Sequence, residues 1–207
     1  MKHAVSRELY DYWNRVRGNQ PAPERGAIEP SDLRRVLPDT FILEVNDREH
    51  YAVRLAGTRV CALYCRELKG TNLLDLWEDE DRSAMATLAA AVAEDGAAAV
   101  VTIDMRTARD QNLACEMILL PLRNGGATFD RVLGSLAALE RPHWLGNEAV
   151  VRQAITSLRL IWPQEAPQFF RRRTDPPAPA ATSAPIAFPL PNSRRRRHLF
   201  VVDGGKQ

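Results

Sequence analysis

Residues 40–58, Thr-Phe-Ile-Leu-Glu-Val-Asn-Asp-Arg-Glu-His-Tyr-Ala-Val-Arg-Leu-Ala-Gly-Thr, decide the fold class. Phe41, Leu43 and Val45 alternate with polar or exposed-type positions, as do Tyr51, Val53 and Leu55, and the polar run Asn46 to Glu49 between them supplies a turn. Two strands of a hairpin follow. Gly57 ends the second strand, and the expectation is that it takes a positive φ there while Thr58 caps what comes next.

On the N-terminal side of the hairpin, Val5, Leu9, Tyr12, Trp13 and Val16 recur at helical spacing, with Ser6 as a candidate N-cap and Gly18 as a left-handed stop. Pro21 and Pro23 mark an extended connector, and Pro30-Ser31-Asp32 opens a second short helix that ends before Pro38. On the C-terminal side, residues 60–81 have no clean long period and read as short helical turns. Residues 81–95 then place Met85, Leu88, Ala89 and Val92 on one helical face, ending at Gly96.

Three further strands follow that helix. Ala99, Val101, Ile103 and Met105 alternate, as do Leu113, Cys115, Met117 and Leu119, and residues 132–139 form a mostly apolar run. The turns at 108–111 and Asn124-Gly125-Gly126 suit antiparallel hairpins. Two strands, a helical block and three strands define an α+β domain, a five-stranded antiparallel sheet with helices on one face, over residues 1–141. Val150, Ala154, Ile155 and Leu158 predict one more helix within an extension at 142–170. Residues 171–207 read as a disordered, proline-rich basic tail, too poor in large apolar residues to offset the entropy of ordering.

The residue strings Tyr12-Trp13, Arg17-Gly18, Pro30, Leu37-Pro38, Arg54-Leu55-Ala56-Gly57-Thr58, Arg66-Glu67-Leu68-Lys69-Gly70 and Asp75-Leu76-Trp77 together resemble a PAS-like family known mainly from alphaproteobacteria. The resemblance spans roughly residues 8–140. It implies a small cytoplasmic sensory or regulatory module that works through partners, in some relatives within cyclic-diguanylate, motility and cell-cycle regulation, and it identifies no ligand. Cys65 stands where the family usually has glycine.

The remaining chemistry is sparse. His3, His50, His143 and His198 lack ligand spacing, and Cys61 and Cys65, four apart on one helix face, lack the second pair that structural zinc requires. Buried small hydrophobes is the plainer reading of those cysteines. The run Cys65-Arg66-Glu67-Leu68-Lys69-Gly70 partly echoes the Asn-Cys-Arg-Phe-Leu-Gln-Gly signature of flavin-binding photosensory PAS domains. Tyr64, Glu67 and Lys69 depart from it, however. Residues 79–95 contain no histidine to ligate a haem, and no P-loop, nucleophile elbow or dinucleotide fingerprint is present. Catalysis has no apparatus, so the chain is expected not to be an enzyme; the competing reading is a cofactor-binding or redox-active protein with flavin, metal or thiol chemistry at Cys61 and Cys65.

The residues placed around a prospective ligand cavity are Arg54, Thr58, Cys61, Tyr64 and Trp77, with core packing as the plainer role for Trp77. The first helix, through Leu9, Tyr12, Trp13 and Val16, either docks on a second copy or a signalling partner, or folds back on its own sheet. Charge is unevenly spread: residues 166–207 hold eight Lys/Arg against two Asp, net +6, which leaves −4 for residues 1–165. An acidic body is a poor surface for a phosphate backbone, which argues against nucleic-acid binding by the folded part. Arg171, Arg172, Arg173, Arg194, Arg195, Arg196 and Arg197 instead offer two clusters for an anionic surface. No apolar stretch approaches the length of a membrane span, and the polar N-terminus lacks an export signal, so a cytoplasmic location is expected.

Overall fold

A computed structural model describes residues 1–126 and 128–162. The first helix, α1, spans Ala4–Arg17 and starts before Ser6, because the His3 side chain accepts the Val5 amide at 3.1 Å and takes the cap position. Ser6 is a buried residue inside the helix. Short 3₁₀ turns at Arg25–Ala27, Pro30–Leu33 and Leu37–Asp39 lead into β1 (Thr40–Val45) and β2 (Tyr51–Ala56). The helical block follows as α2 (Thr58–Tyr64), a 3₁₀ turn at Leu73–Leu76 and α3 (Asp79–Asp95), then β3 (Ala98–Thr107), β4 (Asn112–Leu122), β5 (Arg131–Ala138) and β6 (Val150–Ile161).

The sheet is antiparallel in the order β2-β1-β5-β4-β3-β6, so it has six strands rather than five. The sixth is the segment expected to be helical. Its register on β3 is interrupted twice: Val151 and Thr156 are extra residues that no β3 residue opposes. Each bulge shifts the alternation by one, so the positions on one face become Val150, Gln153, Ile155, Leu158 and Leu160. Steps of three and two alternate along that series, which imitates a helical period in the sequence.

A bulge also corrects the reading of β2. Ile42 faces Leu55 while Leu43 faces Val53, so Arg54 is the extra residue. Leu55 is thereby turned outward and is 52% exposed, while Tyr51 and Val53 keep their places in the core.

Helices cover both faces of the sheet, not one. On the first face α2, the Leu73–Leu76 turn and α3 pack on Phe41, Leu43, Val101, Ile103, Met105, Cys115, Met117 and Leu136. On the other, Val5, Leu9, Tyr12 and Trp13 of α1, with Ile28, Leu33 and Val36, cover Val100, Ile118, Leu120, Leu122 and Leu133. The long apolar run of β4 follows from this, since both of its faces are buried. The apolar face of α1 therefore folds back on its own sheet. Trp13 is fully buried and its indole N–H donates to the Pro121 carbonyl at 2.8 Å, while the Tyr12 hydroxyl accepts the Glu29 amide at 2.8 Å. Val16 is half-buried against the same cluster.

Gly57 has φ −69°, so the expected positive φ is wrong. Its need for glycine is steric instead: a Cβ there would collide with the Leu37 and Pro38 carbonyl oxygens, where the 3₁₀ turn crosses the start of α2. The left-handed residue is Cys65, with φ 49° and ψ 30°, which ends α2. That conformation is the one glycine adopts most readily, and Cys65 is the position at which the resembling family usually carries glycine.

Candidate functional site

An apolar gap among the described residues lies between α2, the sheet and the loop that follows α2. It is walled by Phe41, Val53, Ala56, Val60, Tyr64, Leu68, Leu73, Leu76, Met117 and Leu136. The elements make this gap for a local reason. Val60 and Tyr64 are one turn apart on α2 and point down together, Leu68 follows the sharp exit at Cys65, and Leu73 and Leu76 return along the next turn. The enclosed space is about 10 Å³, about what one water needs and far short of the roughly 300 Å³ of a small-molecule site.

Of the five residues placed beside a cavity from the sequence, Tyr64 lines it. Its hydroxyl donates to Gln153 Oε1 at 2.7 Å, and burial raises its pKa well above the usual phenol range, so it stays a neutral donor. Arg54 stands exposed at the β2 bulge, where it meets Glu44 at 3.2 Å, and Glu44 also holds Arg131 at 2.8 Å. Thr58 is exposed in the first turn of α2 and does not cap it; Gly57 occupies that position. Trp77 is buried in the core, and its Nε1 has no partner among the described residues.

The two cysteines of the α2 region do not form a pair. Cys61 is buried, with its thiol 3.8 Å from Glu67 Oε2 and 4.0 Å from the Ala56 carbonyl, whereas Cys65 lies past the helix end with its thiol exposed. The left-handed turn removes Cys65 from the face that continued helix would have given it. Cys115, buried in β4, has its thiol pushed up to about 12 by burial and then by the charge of Asp104, which keeps it protonated and unreactive. Among the described residues no three His, Cys, Asp or Glu converge as metal ligands. A flavin does not fit this arrangement, because the gap is small and its lining is apolar apart from Tyr64.

Two polar residues that organise the region escaped the sequence reading. Asn72 accepts the Tyr51 amide at 2.9 Å and the Leu74 amide at 3.3 Å, and donates to the Glu49 carbonyl at 2.8 Å, so one side chain ties the β-hairpin to the Leu73–Leu76 turn. Glu116 is 1% exposed and accepts the Lys2 and His3 amides at 2.6 and 2.9 Å, anchoring the start of α1 to the sheet. Burial by itself would raise its pKa, but these amides together with Ser6 and the N-terminal ammonium outweigh it and hold the carboxyl below its ordinary 4.5. The one sequence signal for Glu116 is a lone charge inside an otherwise apolar strand.

An antiparallel sheet with a helical block over one face and an apolar gap between them defines the class of α+β domain to which the chain belongs. The family of PAS domains matches residues 1–137, and the chain belongs to it. Solved structures are similar in fold. A light-oxygen-voltage domain studied with a flavin analogue shares 16% identity, covering 54% of this chain and 84% of that one, with TM-score 0.43. The Rhodobacter sphaeroides light-oxygen-voltage protein shares 22%, covering 51% and 61%, with TM-score 0.41. An RNA-binding light-oxygen-voltage receptor shares 18%, covering 60% and 36%, with TM-score 0.42. No curated protein matches. Strand β6 lies wholly beyond the residues the family accounts for. Residues 171–207, with their two arginine clusters, lie outside the described residues, and no described helix is long and apolar enough to cross a membrane.

Proposed function

We propose that this chain is a non-catalytic PAS-type regulatory module that signals by binding another protein, within bacterial signalling of the cyclic-diguanylate, motility or cell-cycle kind. The observation that carries the reading is membership of the PAS family across residues 1–137, in a fold whose polar groups serve structure: Asn72, Glu116 and Tyr64 each hold one element to another. A module of this kind needs a surface and a change of state, not a nucleophile. Its partner is a signalling protein or a second copy, gated by a small apolar ligand that widens the gap beside Tyr64. With the apolar face of α1 occupied, the partner-facing positions of that helix are its outer residues, such as Arg7, Asp11 and Arg15. The basic clusters at 171–173 and 194–197 add a salt-sensitive contact with an anionic surface.

Native mass spectrometry of the full chain purified from its own host tests this. A complex of fixed stoichiometry with a second copy or a signalling protein supports the proposal. A monomer carrying a chromophore, a metal or an oxidised thiol at Cys61 or Cys65 overturns it in favour of the cofactor or redox alternative.

A further inference from the structure

We propose that β6 is an output latch, held to the sensor core by the Tyr64–Gln153 hydrogen bond and released when the gap beside Tyr64 is filled. The proposal rests on the regulatory reading and gives that module a moving part. Several independent observations meet at this bond. Tyr64 is the residue that both lines the apolar gap and reaches β6. Gln153 is the one polar side chain among the core-facing positions of β6, the others being Val150, Ile155, Leu158 and Leu160. It is 9% exposed, and its Nε2 has no partner among the described residues, so the Tyr64 hydroxyl is what satisfies the amide.

The rest of β6 is suited to release. It is a sheet edge, its register on β3 is broken at Val151 and Thr156, and Val151 is 51% exposed. A buried amide that loses its single partner favours any state in which water can reach it. The equilibrium between a docked and a loosened β6 is thus biased by the position of one phenol, and that phenol is set by the packing of α2 around the gap.

Hydrogen exchange of the full chain reads the latch directly. Tyr64→Phe keeps the ring and removes the hydroxyl; amides of β6 should then exchange about tenfold faster while those of β4 stay unchanged. Adding Gln153→Met removes the stranded amide and should return β6 to within about threefold of its original protection. Val60→Ile, which adds a methylene to the gap one helical turn from Tyr64, should accelerate β6 selectively as well. The latch is refuted if β6 is unmoved in Tyr64→Phe, if β4 and β6 accelerate together, or if Gln153→Met fails to restore protection. An unmoved β6 in Val60→Ile refutes its link to the gap. These outcomes do not depend on a partner, so they separate failure of the latch from failure of the regulatory reading.

Discussion

Replacing Gly57 with alanine tests the steric account of the α2 entry. The backbone at Gly57 has φ −69° and ψ 158°, a conformation any residue adopts, so dihedral strain contributes nothing. The added methyl meets the Leu37 and Pro38 carbonyl oxygens, which belong to backbone pinned by the Gly57 amide on the Thr40 carbonyl at 2.7 Å. Neighbours of that kind yield little, so the cost sits at the upper end of overpacking, about 3 kcal/mol. Alanine also narrows the unfolded ensemble, which offsets about 0.4–1 kcal/mol. The net loss is about 2 kcal/mol, or a melting shift of roughly 4–8 °C for a chain of this size. Urea titration followed by tryptophan fluorescence measures it, with Gly26→Ala as control. Gly26 lies in a 3₁₀ turn with open space where its Cβ would be, so that variant should stay within about 0.5 kcal/mol of the parent. Equal midpoints for the two variants would refute the steric argument.

Cys65→Gly should stabilise the fold by about 1 kcal/mol, since it relieves a left-handed non-glycine residue; an unchanged or lowered midpoint contradicts that. Asn72→Ala strands the Tyr51 and Leu74 amides and should cost about 2–3 kcal/mol, measured by the same titration. Trp13→Ala should destabilise the whole domain by about 3–5 kcal/mol, and a variant that merely dissociates an oligomer while keeping its midpoint would show that α1 packs elsewhere. Because the Glu116 pKa is depressed on folding, its contribution is full above the unfolded value near 4.5 and drains away as the pH falls through the folded value. Glu116→Gln should therefore flatten the stability profile below about pH 5, and an unaltered acid limb would show that the carboxylate is not the group responsible.

How much of this was legible in the sequence depends on whether one residue's environment was set by its neighbours or by a distant strand. The hairpin, the α3 face and the alternations of β3 and β4 are local patterns, and they read correctly because a regular strand or helix repeats its own period. Where a bulge inserts a residue, the pattern becomes ambiguous: Val151 and Thr156 gave β6 a helical appearance, and Arg54 placed Leu55 on the wrong face. Both errors lie on the two edge strands. An edge tolerates an unpaired residue that an inner strand, hydrogen-bonded on both sides, does not. The candidate site suffered differently. Tyr64 was found because it is large and near the right turn, but Gln153, Asn72 and Glu116 act across 89, 21 and 113 residues respectively, and nothing nearby in sequence announces such partners.

The same geometry explains why, among the described residues, the two exposed large apolar side chains are Leu55 and Val151, each at or beside a bulge on an edge strand. A flat apolar edge invites a second sheet, and a bulge twists the strand and leaves part of the ladder unpaired. At β2 the edge is further occupied, because the Val53 amide donates to Thr71 at 2.9 Å and the Gly70 amide donates to Val53 at 2.7 Å. Strand β6 has no such cover among the described residues, and it holds to the core through fewer buried side chains than any inner strand. The two edges therefore differ in kind: the β2 side is covered by the loop after α2, whereas β6 rests on a long but twice-bulged ladder with β3. The Tyr64 hydroxyl reaches from the first region to the second, which places the bond most sensitive to packing around the gap on the bulged edge that no loop covers among the described residues.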